Sequence, residues 1–200
     1  IYHGLGMVAQ RQREWKRAEE YYQQALTLKI EFKDRYRQAS TYNQLGVVAQ
    51  EQGQWVQAEA YYQQSLTIYI EFNDSYEQAG TYHNLGYLVQ RQQQWAQAEA
   101  YYQQSLAIYI DLNNRYEQAH TYYNLGLVAE EQEKWQLAYE NFSYAMVIYI
   151  EFADKYHFHV IKYSLRTLWK THPDETVLPT LAQALGLTVD AARGWITTTD

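Results

Sequence analysis

Apolar and small residues recur along this chain in two interleaved helical rhythms. Tyr42, Leu45, Gly46 and Ala49 fall at i, i+3, i+4 and i+7, one face of a helix. A second set, Trp55, Ala58, Tyr62, Ser65, Tyr69 and Phe72, steps by three and four over more than four turns. Together they predict helix A over about 35–51 and helix B over about 54–72, joined by a short turn at Gly53. The pattern returns every 40 residues. Residues 41–80 and 81–120 are identical at 26 of 40 positions, and 1–40 and 121–160 keep the same frame. Residues 161–200 lose it. There a helix is predicted at about 156–170, with short helices near 175–185 and 188–197.

The recurring residues have assignable jobs. Asp34, Asp74, Asn114 and Asp154 stand between units, where an Asx side chain accepts the free N–H groups of the next helix. Glu77 and Glu117, three residues after Asp74 and Asn114, make a capping-box-like pair. Gly6, Gly46, Gly86 and Gly126 sit in mid-helix, where glycine costs about 1 kcal/mol relative to alanine. Keeping it four times predicts that another backbone passes too close for a methyl group. Ala18, Ala58, Ala98 and Ala138 would form the other side of that contact. Trp15, Trp55, Trp95 and Trp135, just after the turn, would close the wedge between the two helices.

The spacing Leu45-Gly46, Trp55, Ala58, Tyr62 and Ser65 resembles the tetratricopeptide repeat, and four copies agree in frame over 1–160. The usual unit is about 34 residues, so each of these is longer. Ile30, Ile70, Ile110 and Ile150 stand where the family carries a proline near the end of helix B. The 40-residue variant is similar to the repeats of kinesin light chains, spindle-orientation adaptors and bacterial signalling ATPases. The resemblance implies an all-α, right-handed superhelical solenoid of antiparallel helix pairs, with the A helices lining a concave face. On this reading four repeats occupy 1–40, 41–80, 81–120 and 121–160, and 161–200 is a degenerate fifth repeat and helical cap. Stacking is required on physical grounds as well, because one helix pair cannot bury both of its apolar faces.

Composition narrows the function. The chain has 200 residues, 16 Lys and Arg against 23 Asp and Glu, and a net charge of −7. Affinity for a phosphate backbone needs a concentrated basic face, so no nucleic-acid partner is expected. There is no cysteine, which fits a reducing, cytoplasmic setting. No apolar run approaches the roughly 18 residues of a membrane span. The chain opens on Ile1, which reads as a piece of a longer protein. Twenty-two tyrosines fall largely in register, at 22, 62 and 102, at 42, 82 and 122, and at 36, 76, 116 and 156. That register predicts ladders with packed rings and hydroxyls at the edge.

Chemistry is sparse. His157 and His159 point about 200° apart on a helix. His83 and His120 have no evident third ligand, so neither a metal nor a cofactor is expected. No zinc-protease motif, phosphate loop or nucleophile elbow occurs, and the chain reads as a non-enzyme.

By analogy with the family, the groove-lining positions are Asn43, Val47, Gln50 and Glu51 in the second unit. The third has His83, Tyr87, Gln90 and Arg91, and the fourth Tyr123, Leu127, Glu130 and Glu131, with Asn124 at the edge. The first contributes His3, Met7, Gln10 and Arg11, and the fifth Tyr163, Thr167 and Lys170. Apart from Gln10, Gln50 and Gln90, these positions differ most between near-identical repeats, whereas Gln23, Gln63 and Gln103 on helix B do not change. The reading is a scaffold that binds a partner peptide or protein segment in the groove. Asn43, His83, Gln90 and Asn124 would bind by hydrogen bonds, Tyr87 and Tyr123 by apolar contact, and Arg11, Gln50, Arg91, Leu127 and Lys170 would complete the face. Two alternatives stand: a sensor or assembly segment of a larger nucleotide-binding switch protein, and DNA binding through the helix-turn-helix-like stretch 181–196. The latter has Arg193 as the only basic residue of its second helix.

Overall fold

A computed structural model describes residues 1–198, and among these residues the regular structure is helical throughout. The chain divides into two compact units, Ile1–Gln94 and a second beginning at Trp95. The first holds α1 (Tyr2–Arg11), α2 (Trp15–Glu31), α3 (Arg35–Glu51), α4 (Trp55–Glu71) and α5 (Ser75–Arg91). The second holds α6 (Trp95–Asp111), α7 (Arg115–Glu131), α8 (Trp135–Glu151), α9 (Lys155–Thr171), α10 (Leu178–Leu185) and α11 (Val189–Thr197), with a single 3-10 turn at Glu175–Val177. Within each unit consecutive helices pack side by side, and α10 and α11 fold back on α8 and α9. This is an all-α solenoid of antiparallel helix pairs.

Each helix before α9 ends in a three-residue turn whose central residue is left-handed. After α3, Gly53 has φ +74°, its N–H donates to the Gln50 carbonyl at 3.0 Å, and Gln54 N–H donates to Ala49 at 2.8 Å. These bonds satisfy carbonyls that the helix end leaves open. The same geometry is held by Arg13, Lys33, Asn73, Gln93, Asn113, Glu133 and Ala153, with φ between +52° and +60°. A Cβ in this region crowds the following carbonyl at a cost of roughly 1–2 kcal/mol. Glycine escapes that cost but loses more entropy on folding. Ala153→Gly is therefore expected to stabilise the second unit by about 0.5–1 kcal/mol. A denaturation midpoint that stays put or falls would contradict this.

The A helices are capped as expected. Asp34, Asp74, Asn114 and Asp154 accept from the backbone N–H three residues on, at 3.2, 3.1, 3.3 and 3.0 Å. The glutamate half of the capping box differs at Glu77, whose carboxylate takes the Tyr69 hydroxyl as a partner. The caps also join repeats. Tyr36 donates to Asp74 Oδ2 at 2.6 Å and Tyr116 to Asp154 Oδ2 at 2.7 Å. The hydrogen bonds from Tyr116 and then His157 hold the Asp154 carboxyl well below the usual carboxylate range. Arg35 pairs with Glu71 and Arg115 with Glu151 at the same two joints.

The mid-helix glycines have a different neighbour from the one expected. A Cβ built on Gly46 would lie 2.6 Å from the Tyr62 ring, one on Gly6 2.6 Å from Tyr22, and one on Gly126 2.5 Å from Phe142. An aromatic face, not another backbone, occupies the space. The alanines are fully buried, but the atoms nearest these glycines all belong to the rings. Trp15 packs against the core formed by Ala9, Ala18, Tyr22, Leu26, Leu45 and Val48. Trp135 stacks on His172, with ring centroids 3.7 Å apart.

Beyond α9 the chain contributes Val177, Leu178, Leu181, Ala182, Ala192 and Ile196 to the core of the second unit. Gly186 ends α10 in the left-handed region, and Thr188 caps α11 through the Ala191 N–H.

Candidate functional site

In the first unit the groove register runs along α1, α3 and α5. Its residues divide by what they already touch. Gln50 is 7% exposed, and its amide oxygen accepts from the Tyr62 hydroxyl at 3.4 Å. Gln10 accepts from Tyr22 at 2.6 Å in the same way. These two tyrosines are buried, and a buried hydroxyl without a partner is costly. Burial also pushes the Tyr22 hydroxyl up to about 12 and Tyr62 further in the same direction. The glutamines thus complete the helix pair and offer little surface to a ligand. Asn43 is similarly engaged: Asn84 donates to its Oδ1 at 2.9 Å, and its own Nδ2 lies 3.5 Å from Thr81 Oγ1. It ties α3 to α5.

What this face leaves open is a smaller set. Arg11, Met7, Glu51, Tyr87 and Arg91 are exposed, while Val47, His83 and Gln90 are half-buried. Tyr87 and Arg91 form a local pair. Arg91 Nη1 donates to the Tyr87 hydroxyl at 3.3 Å, and the guanidinium sits 5.9 Å from the ring centroid. That arrangement presents an aromatic face and a cation together.

In the second unit less of the register is available. Tyr123 is half-buried with its ring 5.8 Å from that of Phe142. Leu127 packs on the core, and Asn124 is half-buried. Burial, and then Glu131, raises the Glu130 carboxyl. Lys170 is exposed near the end of α9, on the same cavity as Tyr163 and Thr167.

The glutamines that helix B shares in the first three repeats are not uniformly idle surface. Gln23 donates to the Tyr61 hydroxyl at 2.8 Å and so links α2 to α4. Gln103, exposed, lies 3.4 Å from Glu99 on its own helix. Constancy at Gln23 therefore has a packing reason, which weakens the contrast with the variable groove positions.

Other chemistry is limited. His120 and His157 meet edge to face at 4.8 Å. His120 Nδ1 lies 2.9 Å from the Tyr149 hydroxyl, and His157 Nδ1 lies 2.7 Å from Asp154. Burial first, and then His157, lowers His120 from its ordinary value. Among the described residues no group of three or more His, Cys, Asp or Glu side chains could hold a metal ion, and no helix is long and apolar enough to cross a membrane. The helix-turn-helix-like stretch is used internally. Ala192 and Ile196 of α11 enter the core, and Arg193 pairs with Glu175.

Stacked helix pairs with an aromatic ring under a glycine and a variable A-helix face define a helical repeat protein. The Tetratricopeptide repeat profile matches residues 1–71 and 77–148, and the chain belongs to that family. No curated protein matches it by sequence. Solved structures match over nearly its whole length at low identity. BtubC (BKLC) from P. vanneervenii is 19% identical with a TM-score of 0.77, over 98% of this chain and 80% of that one. The apo form of RapI is 18% identical with a TM-score of 0.78, over 92% of this chain and 51% of that one. A Podosopora anserina putative kinesin light chain with nearly identical TPR-like repeats is 15% identical with a TM-score of 0.72, over 99% and 96%. This chain spans about half the length of RapI and of a Rap protein complexed with Competence and Sporulation Factor.

Proposed function

We propose that the protein is a non-catalytic cytoplasmic scaffold that takes a peptide or protein segment on the A-helix face. The observation that carries this reading is the open set on α1, α3 and α5. Arg11, Met7, Glu51, Tyr87 and Arg91 change from repeat to repeat, while the residues beneath them recur. A surface that meets a non-repeating ligand needs different contacts in each unit. The preformed backbone keeps the ordering cost of docking low. Tyr87 with Arg91 is the natural anchor, because Tyr and Arg are enriched among residues whose truncation costs most. Family membership and the likeness to a Rap protein solved with a bound factor support a protein-interaction role.

Affinity measurements on a partner isolated by pull-down test the face. Tyr87→Ala and Arg91→Ala are each expected to weaken binding by roughly tenfold or more. Gln63→Ala and Gln103→Ala, on exposed parts of the B helices, should leave it within about twofold. The reverse pattern would move the partner to the other side of the array. The pairing of Arg193 with Glu175 supports reading 181–196 as part of the cap.

A further inference from the structure

α9 keeps the length of an A helix but not its chemistry. Counting back by 40, His159 stands where α3, α5 and α7 have alanine, and Lys162 where they have tyrosine. Arg166 stands at the glycine position, and Lys170 where they have Gln50, Gln90 and Glu130. In α3 this is the face that receives helix B: Ala39 is fully buried, Gly46 lies under the Tyr62 ring and Gln50 takes the Tyr62 hydroxyl. α9 has no 17-residue helix to receive. After it, α11 with 9 residues packs on α9 and α10 with 8 packs on α8, and beside α9 lies a cavity of about 260 Å³. His159, Lys162, Arg166 and Lys170 line it, with Tyr163 beside them and Thr198 opposite.

Closing the end of an array requires a polar surface, but not one of a single sign. From Lys155 to Thr171 the helix carries no Asp or Glu, in a chain whose net charge is −7. Lys162, Arg166 and Lys170 follow at four-residue spacing, an arrangement in which like charges oppose the helix. One of the cations is also fixed in place. Arg166 donates through Nε and Nη2 to the Trp195 carbonyl at 3.0 and 2.6 Å, and its guanidinium lies 5.4 Å from the Trp195 ring centroid. We propose that this cavity binds the carboxylate side chains of an acidic peptide segment. Its volume suits one or two side chains, and the Tyr163 hydroxyl offers a neutral donor beside the cations. The negative charge on the rest of the chain disfavours an extended polyanion such as nucleic acid, which must lie against a wider surface.

The cavity shares Tyr163, Thr167 and Lys170 with the groove register, so the proposal deepens the scaffold reading by giving the chemistry at one end of it. Its test does not depend on finding the natural partner. A fluorescently labelled oligoglutamate peptide is titrated with the full chain at low salt, and anisotropy is recorded. Saturable binding is expected. It should weaken by roughly tenfold or more in Lys162→Ala/Lys170→Ala and recover in Lys162→Arg/Lys170→Arg. Gln103→Ala, exposed on α6, should leave it unchanged. Failure of the parent chain to bind, or equal binding by the alanine double variant, overturns the proposal. Loss in Tyr87→Ala but not in the double variant also overturns it, while leaving the scaffold reading standing. Tighter binding of a labelled oligothymidylate would replace the acidic peptide with nucleic acid. Lys170→Glu alone, an exposed change with little reason to disturb folding, should abolish oligoglutamate binding, and retention would have the same overturning force.

Discussion

Gly46→Leu is expected to be among the most damaging single substitutions in the first unit. A Cβ at this position already falls 2.6 Å from the Tyr62 ring, far inside van der Waals contact. Tyr62 cannot swing aside cheaply, because it is 1% exposed and its hydroxyl is held by Gln50. The helices must separate or the ring must leave, and overpacking of this kind costs about 1–3 kcal/mol. Chemical denaturation of the variant should show a lower midpoint with little change in slope. Two companions make the cause visible. Gly4→Ala, where nothing lies within 4 Å of the added carbon, should be neutral or gain up to about 1 kcal/mol from helix propensity. In a Tyr62→Ala background the penalty of Gly46→Leu should shrink, since the two changes share one volume. An undiminished penalty there would mean that the ring is not what the glycine accommodates.

Ending the chain at Thr171 should have the largest effect on the second unit. The truncation removes α10, α11 and the 3-10 turn, and with them Val177, Leu178, Leu181 and Ile196 from the core. Each side chain of this size contributes about 1.5–3 kcal/mol when fully buried. It also removes the His172 carbonyl, which accepts from Tyr139 at 3.0 Å, and the imidazole stacked on Trp135. Tyr139, whose hydroxyl is pushed above its ordinary range by burial, would be left without its acceptor. The expected result is a drop in melting temperature on the order of 10 °C, with new binding of a hydrophobic dye. A truncated chain as soluble and as heat-stable as the parent would show that these helices do not close the array.

Much of this fold is legible in the sequence. The 40-residue period, the helix bounds and the Asx caps follow from side-chain spacing, and α3 spans Arg35–Glu51 as the periodicity predicts. Such features are local, and each is carried by residues within a few turns of one another. What escaped was chosen by contacts between helices. The glycines announced that space was short but not which atom filled it. The clue lay 16 residues on, where Tyr22, Tyr62 and Phe142 keep an aromatic ring in register. Its position on the helical face puts Gln50 on the groove, yet a buried hydroxyl 12 residues away holds it. The trace of that bond is in the chain as well: where the hydroxyl is lost, at Phe142, the glutamine has become Glu130. Most turns hide their left-handed residue, because Gly53, Asn73 and Asn113 are of types that favour that region whereas Arg13, Lys33, Gln93, Glu133 and Ala153 are not.

The joint between repeats has a bearing on how arrays of different length can arise. At one joint within the first unit a tyrosine hydroxyl and an arginine from the start of one A helix pair with the aspartate and glutamate just before the next, as Tyr36 and Arg35 do with Asp74 and Glu71. The joint of Tyr116, Arg115, Asp154 and Glu151 has the same donors and acceptors. A block running from one arginine to the next cap therefore carries one complete set of each. Duplicating or excising such a block by recombination would leave both seams with matched partners and no orphaned charge. Array length could then vary across generations in whole steps, with the fold tolerating each step as it occurs.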